Sequence, residues 1–281
     1  MLDHHSVRVS YWKAWRAREL AMDSAKGSTA ASYGLLPAYL HLLNVSNPGT
    51  ITSIETEVDE AKQNRFKFCF AVFGGTVRRL HFMRKVMVID STHLRERYSC
   101  CLLTASAQKG NFQIYSIAFA IVDSENDRAW EWFFGRLKQV VPDEESLTFV
   151  SERHSSIYAG LGKMYPKSSH SACIVHLQRN VAAKFKLRVL GPMISKAARA
   201  YRKSAFYDAF TEIELVSPGC AEYLRSIGFH HWTCSHCYGD RYNIMTSNVT
   251  ESLINAVLKE AREHFEVHTK HFEGLVHEAP R

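Results

Sequence analysis

Long apolar runs are missing from this chain. The longest strongly apolar stretch is the nine residues from Ile114 to Val122, well short of the roughly 20 that a membrane-spanning helix requires, so no transmembrane span is expected. The opening residues, MLDHHSVRVSYWK, lack the apolar core of a secretory signal. That places the expected protein on the reducing side of the membrane. Internal repeats and low-complexity tracts are absent too. With 46% hydrophobic and 22% charged residues, disordered and collagen-like chains are excluded. Cysteine is sparse and odd in number, seven in all, with Cys100 and Cys101 adjacent inside an apolar run. A disulfide framework is therefore not expected, and the Asn248-Val249-Thr250 sequon reads as accidental.

Acidic residues are missing from one long stretch. None occurs between Glu152 and Asp208, whereas the same 55 residues hold eleven basic ones: Arg153, Lys163, Lys167, Arg179, Lys184, Lys186, Arg188, Lys196, Arg199, Arg202 and Lys203. The net charge of +7 is concentrated there, and the rest of the chain is slightly acidic. Such a block is the footprint of a surface that meets a polyanion, most often nucleic acid. A solvated helical face is the plainer alternative.

At 281 residues the chain suits one large or two small domains. Residues 1–84 read as an N-terminal helical, accessory region: two helices around Tyr11–Met22 and Leu35–Leu43, a break at Asn47-Pro48-Gly49, then strands at Ile51–Thr56 and Phe66–Phe73. From residue 85 the runs take strand length. Val86–Ile89 leads into Asp90, Tyr98–Ala107 and Ile114–Val122 form a hairpin about Gly110-Asn111, and Ala129–Val141 is an amphipathic helix. Strands at Leu147–Val150 and Ser171–Val175 flank a short helix at Ile157–Met164. The expected fold class is α/β, a mixed sheet with helices on its faces. The region 85–176 is its core, 177–246 a mainly helical insertion, 247–265 a final core helix with Leu253, Ile254, Val257 and Leu258 as its apolar stripe, and 266–281 a tail.

Strand ends in open α/β sheets are where ligands bind. Asp90 follows a buried strand, Glu152 follows another, and Glu251 lies in the first turn of the last helix. Three converging carboxylates can hold two divalent cations for phosphodiester chemistry. Each residue also has a structural reading: Asp90 in a turn, Glu152 paired with Arg153, and Glu251 closing a capping box with Asn248. Cys173 and His176 sit between the fifth strand and the basic tract, as local packing or as a site pair. Cys234-x-x-Cys237, among several histidines, would with Cys173 or His176 make a Cys3His set for zinc, but a lone Cys-x-x-Cys is weak and zinc is not expected. Trp130, Trp132, Phe133 and Phe134 read as core. Trp232 suits either a packing anchor or a contact to a distorted DNA end.

The order of the segments "YWKAWRARELA", "SYGLLPAYL", "NPGT", "VMVIDSTHLRERY", "LLTASAQKGNFQIYSIAFAIVDSENDRAWEWFFGRLK", "CIVHLQRN" and "RYNIMTSNVTESL" resembles the transposases of Mutator-like elements (MULE). The resemblance covers about Tyr11 to Glu263. It implies a ribonuclease-H-like core, with a long helical insertion before the last core helix and an Asp-Asp-Glu metal triad that falls on Asp90, Glu152 and Glu251. It also carries the family's Cys-x-x-His onto Cys173 and His176. It implies two Mg2+ or Mn2+ ions, double-stranded DNA as element ends and target, assembly as a homo-oligomer and location in the nucleus. The sequence departs from the family in three ways. Glu152 stands where the family has Asp, one residue is added after Glu251, and the zinc modules of longer relatives are not seen, as expected of a truncated or decaying copy. The alternative is a non-catalytic DNA-binding or regulatory protein derived from a transposase.

Overall fold

The computed structural model describes residues 10–13, 16, 29–58, 60, 62, 64–94 and 100–247. It divides into two compact units, and helix α1 (Thr29–Ser46) falls almost wholly in the first. That helix runs through Pro37, and Leu35, Tyr39 and Leu42 on it are exposed. Residues 11–13 are also helical.

The second unit, within residues 46–256, is built on a seven-stranded mixed sheet. Its strands are β1 (Ile51–Val58), β2 (Asn64–Val72), β3 (Met83–His93), β4 (Cys101–Lys109), β5 (Ile114–Val122), β6 (Thr148–Ser151) and β7 (Ser169–Ala172). Their order across the sheet is β1-β2-β5-β4-β3-β6-β7. Neighbours from β1 to β3 in that order pair antiparallel, whereas β6 pairs parallel with β3 and β7 parallel with β6. Three meandering strands followed by two parallel ones entered through helices give a ribonuclease-H-like fold, with β1 and β2 widening the antiparallel side. The boundary expected at residues 84 and 85 thus falls inside one sheet. β1 and β2 lie in the region read as accessory, but β2 hydrogen-bonds to β5.

Local chemistry explains the elements. Helix α2 (Gly74–Val77) is one turn after β2. Helix α3 (Asp127–Leu137) starts at Asn126, whose side chain accepts a hydrogen bond from the Ala129 amide at 2.9 Å, and has Asp127 in its first turn and Arg136 in its last, both favourable to the helix dipole. Trp130, Phe133, Phe134 and Leu137, at helical spacing, are fully buried. With helix α4 (Ser155–Met164) they cover one face of the sheet, packing on Met87, Ile89 and Phe149. Phe134 stacks on Trp130 and meets Phe149 and Tyr165 edge-on. Trp132 is partly buried on Phe68 and Phe70.

Helices α5 (Ile174–Phe185), α6 (Leu190–Arg199), α7 (Lys203–Val216), α8 (Pro218–Ile227) and α9 (Phe229–Trp232) form a separate core. The strand expected over Ser171–Val175 is shifted: β7 ends at Ala172, and Ile174 and Val175 open α5. Two apolar residues fit either element, and the turn at Cys173 decides. Trp232 is fully buried among these helices and donates its Nε1–H to the Leu224 carbonyl at 3.2 Å. Of the two readings of Trp232, burial fits the packing anchor, because no part of the ring reaches solvent.

Candidate functional site

β3 alternates its side chains between the two faces of the sheet. Met87 and Ile89 enter the aromatic core, while Val86 and Val88 pack on the other side with Val150 and Ile244. Asp90 follows in the second set. It does not end the strand, as the sequence suggested, because β3 continues to His93. What marks the position is the neighbour: Val86 and Val88 pair with Thr148 and Val150 in parallel register, and β6 stops at Ser151. Glu152 directly follows β6, two residues beyond Val150 as Asp90 is two beyond Val88, and both carboxylates are near enough to His176 for their charges to act on it. Asp90 is buried at 6% exposure, while the Glu152 side chain is 29% exposed, so one carboxylate is embedded and the other faces solvent.

His176 stands in the first turn of α5, its Nε2 3.9 Å from Glu152 Oε2. Its pKa is raised, chiefly by hydrogen bonding to Cys173, against burial, with further support from the negative charges of Glu152 and Asp90. Cys173, fully buried at the N-cap of the same helix, shows the reciprocal effect. Burial raises its thiol, but hydrogen bonds with His176 and Ser247 outweigh it and bring the pKa down to about 7. A thiol at a helix N-terminus beside a cationic imidazole is the setting that favours thiolate.

The thiol also anchors the backbone. The Ser247 amide donates to Cys173 Sγ at 3.3 Å, and Ser247 Oγ lies 3.5 Å from His176 Nδ1. Two residues earlier, the Ile174 amide donates to the Met245 carbonyl at 2.8 Å. Cys173 and His176 therefore clamp the chain four residues before Glu251. Glu251 itself, and the helix expected over 247–265, lie outside the described residues.

A second layer supports the Glu152 end of β6. Ser151 Oγ lies 2.8 Å from His170 Nε2 and 2.8 Å from the Glu152 carbonyl. His170 packs on Tyr158 with ring centroids 4.0 Å apart. Burial, then the nearby His231 and Arg241, lowers its pKa to about 3, so it is neutral at ordinary pH. Arg241, 4% exposed, donates to Ser171 Oγ at 2.8 Å and to the His231 carbonyl at 2.6 Å, tying the segment ahead of Ser247 to β7. Ser247, His170 and Arg241 escaped sequence reasoning. Only Ser247 had a signal, its place in the stretch leading to Glu251.

The other expected residues are placed as follows. Of the eleven basic residues from Arg153 to Lys203, ten are exposed. Arg153 is half-buried and donates to Tyr223 Oη at 2.9 Å, and Lys163 and Lys196 pair with Glu131 and Glu212. Cys234 and Cys237 do not meet Cys173. Cys234 Sγ is 3.4 Å from Met245 Sδ, and Cys237 Sγ is 3.8 Å from Ser171 Oγ. Among the described residues, no group of three or more His, Cys, Asp or Glu side chains is placed to hold a metal ion.

No described helix is long and apolar enough to cross a membrane. No curated protein matches the chain. The family model of the MULE transposase domain matches residues 86–180, a span that begins on β3, contains Asp90, Glu152, Cys173 and His176, and ends within α5. A domain of this kind implies interaction with DNA and an origin among transposases. Residues 86–180 of this chain are thus similar to a MULE transposase domain.

Proposed function

We propose that this protein cuts and joins DNA strands as a Mutator-like transposase. The observation that carries the reading is the approach of two carboxylates to His176, Asp90 from β3 and Glu152 from the residue after the neighbouring parallel strand β6, inside the matched domain. Two hard carboxylate donors suit Mg2+ or Mn2+, which prefer oxygen ligands. Asp90 and Glu152 would hold the ions together with Glu251. Bound there, such ions supply Lewis-acid stabilisation of the phosphoryl group and a water of lowered pKa.

The chain's own residues do the remaining work. Buried Asp90 is a fixed point, because β4 and β6 hold its strand on both sides. Glu152 is one methylene longer than the family's Asp, and His176 restrains that extra freedom by drawing its carboxylate toward α5. Cys173 and Ser247 fix where the chain turns toward Glu251. The exposed cations from Lys163 to Lys203 hold phosphates in a sequence-independent, salt-sensitive way. Hydrolysis by water would break the P–O3′ bond at an element end and leave a 3′-hydroxyl. That hydroxyl would then lose its proton and attack a target phosphodiester, forming a new P–O bond as the target strand's P–O3′ bond breaks and its 3′-oxygen leaves as a hydroxyl, so no protein nucleophile is needed.

The test is a calorimetric titration with Mn2+ of the wild-type chain and of Asp90→Asn. Binding that the variant loses, followed by Mn2+-dependent nicking of duplex DNA that Asp90→Asn abolishes, is the expected result. Absence of binding in both proteins would overturn the catalytic reading. The exposed basic surface would then favour the second one, a non-catalytic DNA-binding protein derived from a transposase.

A further inference from the structure

Beside the carboxylates, on the same face of the sheet, lies a groove of about 440 Å3, within the range of small-ligand sites. Val88 lines it, and Val88 precedes Asp90 by two residues. At about 3.3 Å per strand residue, the groove begins roughly 7 Å from the carboxylate. Its rim is aromatic and exposed: Phe112 from the β4–β5 turn, Tyr201 after α6, and Tyr242, at 66%, 66% and 42% exposure. No acidic residue lines it, and Arg199 does.

The rings are held in place. Arg84 sits against both Phe112 and Tyr242, its Cζ 4.5 and 5.1 Å from their centroids, and donates to the Gly110 and Tyr242 carbonyls. Tyr201 Oη bonds the Asn243 side chain. Among the described residues five non-glycine residues have positive φ, and three of them, Phe112, Tyr242 and Asn243, line this groove. Such backbone is disfavoured for residues with a side chain, and it gathers where the surroundings fix a functional shape.

We propose that the groove takes unpaired nucleobases of a DNA strand whose backbone passes Asp90 and Glu152. The inference rests on the transposase reading for its direction. Exposed ring faces offer stacking to any base, and arginine adds charge attraction to the strand. Within a duplex the base faces are already stacked on one another, so the partner is single-stranded or frayed DNA next to the cut. A length of one or two nucleotides between cut and groove matches the spacing from Val88 to Asp90.

The experiment uses the whole chain in EDTA, so that its result does not depend on metal binding and its failure is separable from that of the catalytic site. Fluorescent duplexes with and without a single-stranded overhang are titrated, and the overhang carries 2-aminopurine, whose emission falls on stacking. The overhang should bind several-fold tighter than the blunt duplex, with quenching. Tyr201→Ala and Phe112→Leu should each weaken overhang binding roughly fivefold or more and relieve the quench, at unchanged melting temperature and unchanged blunt-duplex affinity. Tyr201→Phe, which keeps the ring, should retain both. Affinity indifferent to strandedness and to ring removal would assign the groove to a protein partner or a second copy, and would overturn the proposal.

Discussion

The two faces of the sheet are built on different principles. One is closed by α3 and α4 with a dry aromatic cluster, in which Trp130, Phe133 and Phe134 interlock with Phe149 and Tyr165. The other carries the small cluster of Val86, Val88, Val150 and Ile244, and then turns polar at Asp90, Glu152, His176 and Ser247. The first face is held by area and shape. The second is held by hydrogen bonds that pin one chain segment to another: Arg241 to β7, Ser247 to Cys173, and the Ile174 amide to Met245. The apolar mass that holds the sheet itself thus covers one face, with the helices α5–α9 forming a core of their own, and the ionisable groups are gathered on the other face.

This contrast can be broken most strongly from the aromatic side. Phe134→Ala should cost about 3–5 kcal/mol of unfolding free energy, because a fully buried ring would leave a cavity that four aromatic neighbours cannot close. A urea melt checks it, and a loss below 1 kcal/mol would show that this core repacks. Arg241→Ala on the polar face should cost less, about 2–3 kcal/mol. It removes charge-assisted bonds to Ser171 and the His231 carbonyl, while also relieving the burial of a cation. The sharpest sign of that variant would be faster amide exchange at Ile174 and Ser247, which a mere loss of packing on the aromatic face would not produce.

The remaining effect is confined to acid pH. His170 has a folded pKa lowered to about 3, against about 6.5 unfolded. Below pH 6.5 the unfolded chain gains a proton that the folded chain refuses, so stability falls with falling pH over that window, by up to about 1.4 kcal/mol per unit. Above it the contribution is constant. His170→Asn should flatten the slope between about pH 6.5 and 4 in melts run across that range. An unchanged slope would mean that other groups carry it.

The aromatic face was readable residue by residue. Spacing alone put Trp130, Phe133, Phe134 and Leu137 on one stripe, and burial followed, because an amphipathic helix has one way to hide that stripe. The hairpin about Gly110-Asn111 was legible for the same local reason. The polar face was legible only in part. Asp90 and Glu152 could be singled out as acids beside apolar strands, but their approach to His176 depends on the pairing of β3 with β6, which joins residues 62 positions apart, Val86 with Thr148 and Val88 with Val150. Trp232 illustrates the limit: by position it suited a packing anchor or a DNA-end contact, and the choice falls to the helices around it, packed from distant segments, which enclose it completely.

By itself, the sequence determined the α/β class, the amphipathic elements, the family resemblance and the gathering of positive charge, since periodicity, turn residues and composition are local properties. The tertiary structure alone decided that Asp90 and Glu152 both approach His176, that Cys173 and His176 hold Ser247, and that Phe112, Tyr201 and Tyr242 line one groove. Those pairings join residues tens to well over a hundred positions apart, and only register and packing, not spacing along the chain, bring such residues within reach of one another.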